Sequence, residues 1–261
     1  MEWLRLVKTQ FMVEWKTKIG YGMSTISDIM LYVITFFVVM FVYNSNGMVD
    51  FYKVDANYSS ILLLIGYVFW NVGCISMDMS SQTIESDSKA GIIENEIQSK
   101  YSFPLVIWIR SLCVTLFSYI YLFVLILATS FFVGLAPFKV VTLVVNLVMV
   151  SFISNIGMFG IGLLFGSVSL RFKRIGQWMI IFQALLLFVS NIAMPMTNMF
   201  QMIAPFGLGI ELSRNLFMGL NLEIDKIIIY IFINSLWLII GYLAFNYSIL
   251  QERKYGSFEQ F

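Results

Sequence analysis

Residues 80–103 read SSQTIESDSKAGIIENEIQSKYSF. This is the longest polar interruption in a chain otherwise compatible with hydrocarbon, and apolar segments run into it and out of it. It carries Glu85, Asp87, Glu94 and Glu96, the only acidic cluster in the first two-thirds of the chain, with Lys89 and Lys100 among them. Pinned between two membrane spans, such a segment reaches at least about one helix diameter, ~10 Å, into water, where it meets a soluble partner. We read it as a handle through which something outside the membrane moves what lies inside.

Composition supports that setting. Hydrophobic residues make up 59% of the chain and charged residues 12%, against roughly 25% charged in soluble domains. Water would not keep such a chain in solution, and an integral membrane protein is the class that fits. The net charge of +1 implies neither nucleic acid nor an acidic substrate. Histidine is absent, which removes the commonest metal ligand and the commonest general base. Cys74 and Cys113 stand in separate apolar runs with no metal or redox spacing and read as packing residues. The N-terminus has charges throughout and lacks the short apolar core of a cleaved signal peptide.

The expected fold is all-α and integral to the membrane, one transmembrane domain over 1–261. Trp3, Val7, Phe11, Trp15 and Ile19 recur every four residues, with Arg5, Thr9 and Lys16 opposite. Over 1–22 this predicts an amphipathic interfacial helix; a polar leader with a chance pattern is the plainer alternative. Six transmembrane helices follow, at 25–43, 60–77, 105–133, 140–170, 176–194 and 226–249, each close to or longer than the ~20 residues that cross a ~30 Å core. A short polar loop, 44–57, joins the first two. Asp28 reads as an interfacial carboxylate accepting hydrogen bonds rather than as an ion site. Arg110 would snorkel back to the interface.

Two features of the later chain are informative. Gly157, Gly160, Gly162 and Gly166 lie in one apolar run whose spacing and flanks do not fit a phosphate cradle, but suit close helix packing. From 195 to 225, Pro195 and Pro205 bracket MTNMFQMIA, and Gly207, Gly209, Glu211 and Arg214 follow. The segment is too interrupted for one straight span and predicts short re-entrant or interfacial outer helices.

Six spans put both termini on one side, and twelve of the sixteen lysines and arginines fall there, including the basic run Arg171, Lys173 and Arg174. The positive-inside rule then places both termini and the handle in the cytoplasm of a multi-pass plasma-membrane protein.

No G-x-x-x-x-G-K-[ST] nucleotide loop occurs, and the loops show no recognised catalytic pattern, so the chain is not expected to be an enzyme itself. The spans hold amides rather than ionisable groups: Asn71, Asn146, Asn155, Gln183, Asn191 and Asn234. With many Phe and Met they suit a large amphipathic cargo better than a small ion, and Asn71, Asn155, Gln183 and Asn191 are candidates for lining its path. Each could equally be a hydrogen bond between helices.

The whole chain resembles the membrane-spanning permease subunit of a type-2 ABC exporter. In that family the cytoplasmic segment often carries a Gly-Thr-Leu-Glu-like tetrapeptide; here it reads Gly91-Ile92-Ile93-Glu94, followed by a proline-led third span. After the fifth span the family typically shows a proline, an Asn-Pro-like pair, then a glutamate and an arginine; here these are Pro195, Ala204-Pro205, Glu211 and Arg214. The resemblance implies a half-transporter that pairs with an identical or related permease and sits on a separate cytoplasmic ABC ATPase. ATP and Mg would belong to that partner, with no cofactor on this chain. A coupling helix in 81–103 would use Glu85, Gly91, Ile92, Ile93, Glu94 and Glu96 against the ATPase. Residues 195–225 would form the outer gate, where Glu211 and Arg214 either tie the gate to its twin or anchor it at the interface.

The implied cargo is a hydrophobic or amphipathic drug, peptide or lipid-like molecule. The alternatives are a lipid-linked polysaccharide or teichoic-acid-like polymer handled by the same architecture, and a non-transporting membrane anchor for a soluble partner.

Overall fold

A computed structural model describes residues 2–42, 46–93, 101–172 and 175–255, which form ten helices and no strand. They are α1 (Glu2–Gly20), α2 (Gly22–Val42), α3 (Asn46–Tyr52), α4 (Ala56–Lys89), α5 (Phe103–Val133), α6 (Pro137–Phe172), α7 (Gly176–Val189), α8 (Phe200–Ile203), α9 (Gly207–Met218) and α10 (Ile224–Tyr255). Among them α2, α4, α5, α6 and α10 are long and apolar enough to cross a membrane, and the chain is a multi-pass membrane protein.

The central element is α4. Its apolar window is largely buried inside the chain, whereas α2 and α10 leave most of theirs outward. Around it pack α2, α3, α5, α6, α7 and α9. Its 34 residues rise to about 51 Å at 1.5 Å each, well beyond the ~30 Å of a hydrocarbon core. The expected second span, 60–77, is therefore only the middle of this helix. Its last ten residues are the first part of the polar handle, and Ser80, Ser81, Thr83 and Ile84 there are buried. Ser80 tolerates this because its Oγ donates to the carbonyls of Ser76 at 3.0 Å and Met77 at 2.9 Å.

The glycine run of α6 serves two neighbours. Gly162 and Gly166 face α4: a Cβ on Gly162 would fall on Ser80 Oγ and 2.6 Å from the Met77 carbonyl oxygen, and one on Gly166 would strike Ile84. Gly160 faces α10, where it meets Gly241 backbone to backbone, and a Cβ on either would overlap the other helix. Small residues at such crossings let helix axes approach closely, the main source of association where lipid removes the hydrophobic drive. At the handle end a second apolar cluster gathers Ile84, Ile93, Phe103, Ile107, Leu163 and Phe245.

Two segments differ from expectation. The 44–57 loop contains a helix, α3, whose Met48 is buried in the main core. The helix expected over 176–194 stops at Val189. At 14 residues it spans about 21 Å. Ser190 Oγ folds back onto the Leu186 carbonyl, the Asn191 amide is drawn to the Gly207 carbonyl at 2.9 Å, and Pro195 disfavours helix at Met194. The last expected loop, 195–225, holds the two short helices α8 and α9.

At the N-terminus α1 lies against α5. Phe11 stacks on Phe117 with ring centroids 5.2 Å apart, and Trp15 lies tilted against the same ring at 6.0 Å.

Candidate functional site

The segment between α7 and α10 is held around one side chain. Arg214, on α9, is wholly buried. Its Nε donates to the Leu62 carbonyl oxygen of α4 at 3.0 Å. Nη1 donates to the carbonyls of Asn191 at 2.8 Å and Met194 at 3.1 Å, and Nη2 to that of Ile192 at 2.5 Å. Asn191, Ile192 and Met194 lie in the non-helical stretch beyond α7, where their carbonyls have no intrahelical partners. One planar guanidinium with five donors meets several of them at once. Charge-assisted bonds of this kind are what permit a buried cation.

The neighbouring Glu211, also on α9, is buried and accepts a 2.6 Å bond from the Tyr52 hydroxyl of α3. The Tyr52 ring centroid lies 6.0 Å from the guanidinium carbon. Burial raises the Tyr52 pKa above its ordinary value; Arg214 opposes this, and Glu211 reinforces it. Burial lowers that of Arg214, while Tyr52 and Glu211 counter the shift. The three side chains therefore form a compact knot inside one chain.

Other helices grip the same segment. Between α6 and α9, Asn146 Nδ2 donates to the Ser213 carbonyl at 3.0 Å and Ser213 Oγ donates to Asn146 Oδ1 at 3.2 Å. From α10, Asn234 donates to the Pro205 carbonyl at 3.0 Å and Trp237 Nε1 to that of Ile203 at 2.9 Å. Gly66 of α4 lets the Ile192 backbone come so close that any side chain would overlap it. Pro195 sits in the non-helical stretch before α8, and Pro205 just ahead of α9.

The amides expected along a path are dispersed. Asn71 is buried and donates to Tyr67 Oη at 3.0 Å. Asn155 is buried beside α4, its backbone carbonyl accepting from Ser76 Oγ at 3.1 Å. Asn191 is consumed in the outer segment. Only Gln183 is brought to a carboxylate: its Nε2 donates to Asp78 Oδ1 at 2.7 Å, joining α7 to α4.

At the other end of α4, Gly91 has φ +67°, and the N–H groups of Gly91 and Ile92 return to the Ser88 and Asp87 carbonyls at 3.3 and 3.0 Å. This paired closure ends a helix with glycine in the left-handed region, where a Cβ is penalised. It also separates the two isoleucines: Ile92 is 45% exposed, Ile93 1%. Glu85 accepts from Lys89 and from the Ile175 N–H at 3.3 Å, which places a carboxylate at the start of α7. Asp87 pairs with Arg110 Nη1 of α5 at 3.2 Å. Glu94 and Glu96 lie outside the described residues.

Asp78 escaped the reading of the sequence because hydropathy ended the span one residue earlier, at Met77. The signal was present: Asn71, Asp78, Gln82 and Glu85 keep helical spacing. Asp78 and Gln82 open onto a cavity of about 200 Å³ shared with Lys18, Tyr32 and Tyr121. Lys18 Nζ is 2.8 Å from Asp28 Oδ2. Burial works against the Lys18 charge, but Asp28, with Tyr121 and Glu14, offsets it and the pKa is raised.

Among the described residues no group of three Asp, Glu or Cys side chains is gathered as a metal site would require. Compared with models of protein families and with curated proteins, the chain matches none.

Proposed function

We propose that this chain is the permease half of an ATP-driven exporter that moves a hydrophobic or amphipathic molecule out of the cytoplasm or inner leaflet. A separate cytoplasmic ABC ATPase, carrying ATP and Mg, supplies the work, and a second permease copy or relative completes the path. In this reading α7, with the segment after it, makes the fifth of six crossings, both termini face the cytoplasm, and the protein lies in the plasma membrane.

One observation carries the proposal: α4 is a single rod that links the Gly91–Ile92 turn to the outer segment. The Arg214 contact at Leu62 and the Gly66–Ile192 contact sit near one end of it; the exposed Ile92 lies just past the other. From Leu62 to Lys89 the rise is about 40 Å at 1.5 Å per residue. An ATPase that displaces the turn therefore displaces the carbonyl to which Arg214 is tied, and small shifts pass through packed helices rather than being absorbed by them.

The test is co-expression with a candidate ABC ATPase from the same organism, co-purification and reconstitution. Amphiphile-stimulated ATP hydrolysis and efflux that needs both proteins are expected. Efflux by this chain alone, or terminal tags reachable from outside the cell, overturns the proposal.

A further inference from the structure

The geometry points to a binding site for an organic ammonium head group in the cavity between α4 and α5. This rests on the export reading and narrows its cargo, or the lipid that modulates it, to a cationic-headed amphiphile.

Ile75, Asp78 and Gln82 fall on one face of α4, and Val114, Ser118 and Tyr121 on the facing stripe of α5, so two helices build the cleft by their period alone. Asp78 presents one oxygen to Gln183. Its other oxygen, Oδ2, has no hydrogen-bond partner among the described residues, and the carboxylate lines the cleft. A carboxylate at this depth is costly unless it meets a counter-charge.

The cation lining the cavity does not supply that counter-charge. Lys18 is bound to Asp28, and its Nζ rests 5.6 Å from the Tyr121 ring centroid. Counting Asp28 with its partner, the lining keeps one negative charge in excess, at Asp78. Tyr32 and Tyr121, with centroids 6.1 Å apart, add π faces that attract an ammonium. The Lys18–Tyr121 contact already shows one such face holding an ammonium.

Size restricts what enters. About 200 Å³ is below the ~300–1,000 Å³ of pockets that enclose a whole drug-sized ligand. A head group fits, and its apolar tail stays outside the cavity.

The test uses the purified chain, without ATPase, in nanodiscs of a neutral glycosyldiacylglycerol, which carries no ammonium, alone or with phosphatidylethanolamine. Binding of radiolabelled dodecyltrimethylammonium is compared with that of dodecyl maltoside and dodecyl sulfate. We expect saturable binding of the ammonium only, weakened at least tenfold by Asp78→Asn. Gln82→Lys, at an exposed mouth position, places a resident ammonium there and should weaken binding similarly with an unchanged melting temperature. Loss of binding when phosphatidylethanolamine is present identifies a lipid head group as the occupant; binding that persists identifies a soluble amphiphile. Equal binding of all three probes, or ammonium binding unaffected by both variants, overturns the site. Because no ATPase is present, that failure is separate from failure of the export reading, which is judged by co-assembly and coupled efflux.

Discussion

Arg214 and Leu62 are 152 positions apart in sequence and joined at 3.0 Å, side-chain Nε to backbone carbonyl. The bond ties α9 of the outer segment to the central helix, and the rest of the same guanidinium holds the carbonyls that follow α7. Position 214 is thus where the interruption after α7 is reconciled with burial.

Replacing Arg214 with Ala removes every donor in one step and strands buried carbonyls. Each bond to a charged group is worth ~1.5–3 kcal/mol, so a loss of at least about 3 kcal/mol is expected. Arg214→Lys keeps a charge but not the fork and should recover less than half of it. Tyr52→Phe, which removes the hydroxyl that meets both Glu211 and Arg214, should cost less than Arg214→Ala, about 1.5 kcal/mol. Thermal unfolding in detergent orders the three; an Arg214→Ala protein as stable as wild type refutes this account.

The α6–α10 crossing gives a second ordering. Gly241→Ala puts a methyl onto the Gly160 carbonyl, and neither backbone can yield. A loss of about 1–3 kcal/mol, the usual cost of overpacking, is expected. Gly22→Ala meets open space and should stay within ~0.5 kcal/mol of wild type, as surface changes do. Melting temperatures of the two single variants settle the comparison.

The docking of α1 should depend on pH. Burial raises the Glu14 pKa above its ordinary 4.5, with Lys18 and Arg110 opposing. A carboxyl whose pKa is higher in the folded state stabilises it when protonated. That contribution is whole below the unfolded value and fades as pH rises through the folded one. Glu14→Gln should therefore match wild type in melting temperature near pH 4 and exceed it increasingly toward pH 7. A constant difference across that range argues against the assignment.

Much of the helical frame was legible in the sequence, because long apolar runs and their punctuation are local signals. Pro104 opens α5 as the proline-led span predicts, and the structure adds a left-handed cap at Gly134. The shortness of α7 was not legible: residues 190–194 are mostly apolar, and the donors that meet their carbonyls come from Arg214, some twenty positions later. Asp78 was lost to a hydropathy boundary, although its helical phase with Asn71 and Gln82 was visible. Nor could composition separate Ile92 from Ile93, since the turn at Gly91 decides which of two identical side chains faces inward.

That last distinction turns one handle variant into two. Ile93 packs with Phe103, Ile107 and Phe245, so Ile93→Ala should destabilise the chain by ~2–5 kcal/mol, the usual cost of emptying a buried site of that size. Ile92 faces outward at 45% exposure, and Ile92→Asp should leave the melting temperature within about 1 °C, a shift that corresponds to well under 1 kcal/mol. If the turn is where an ATPase engages, Ile92→Asp nonetheless abolishes amphiphile-stimulated hydrolysis while the protein inserts normally. Measuring insertion, melting temperature and stimulated ATPase on each variant separates packing from coupling. Full stimulation in Ile92→Asp would remove this turn from the coupling route, and the rigidity of α4 would then need another explanation.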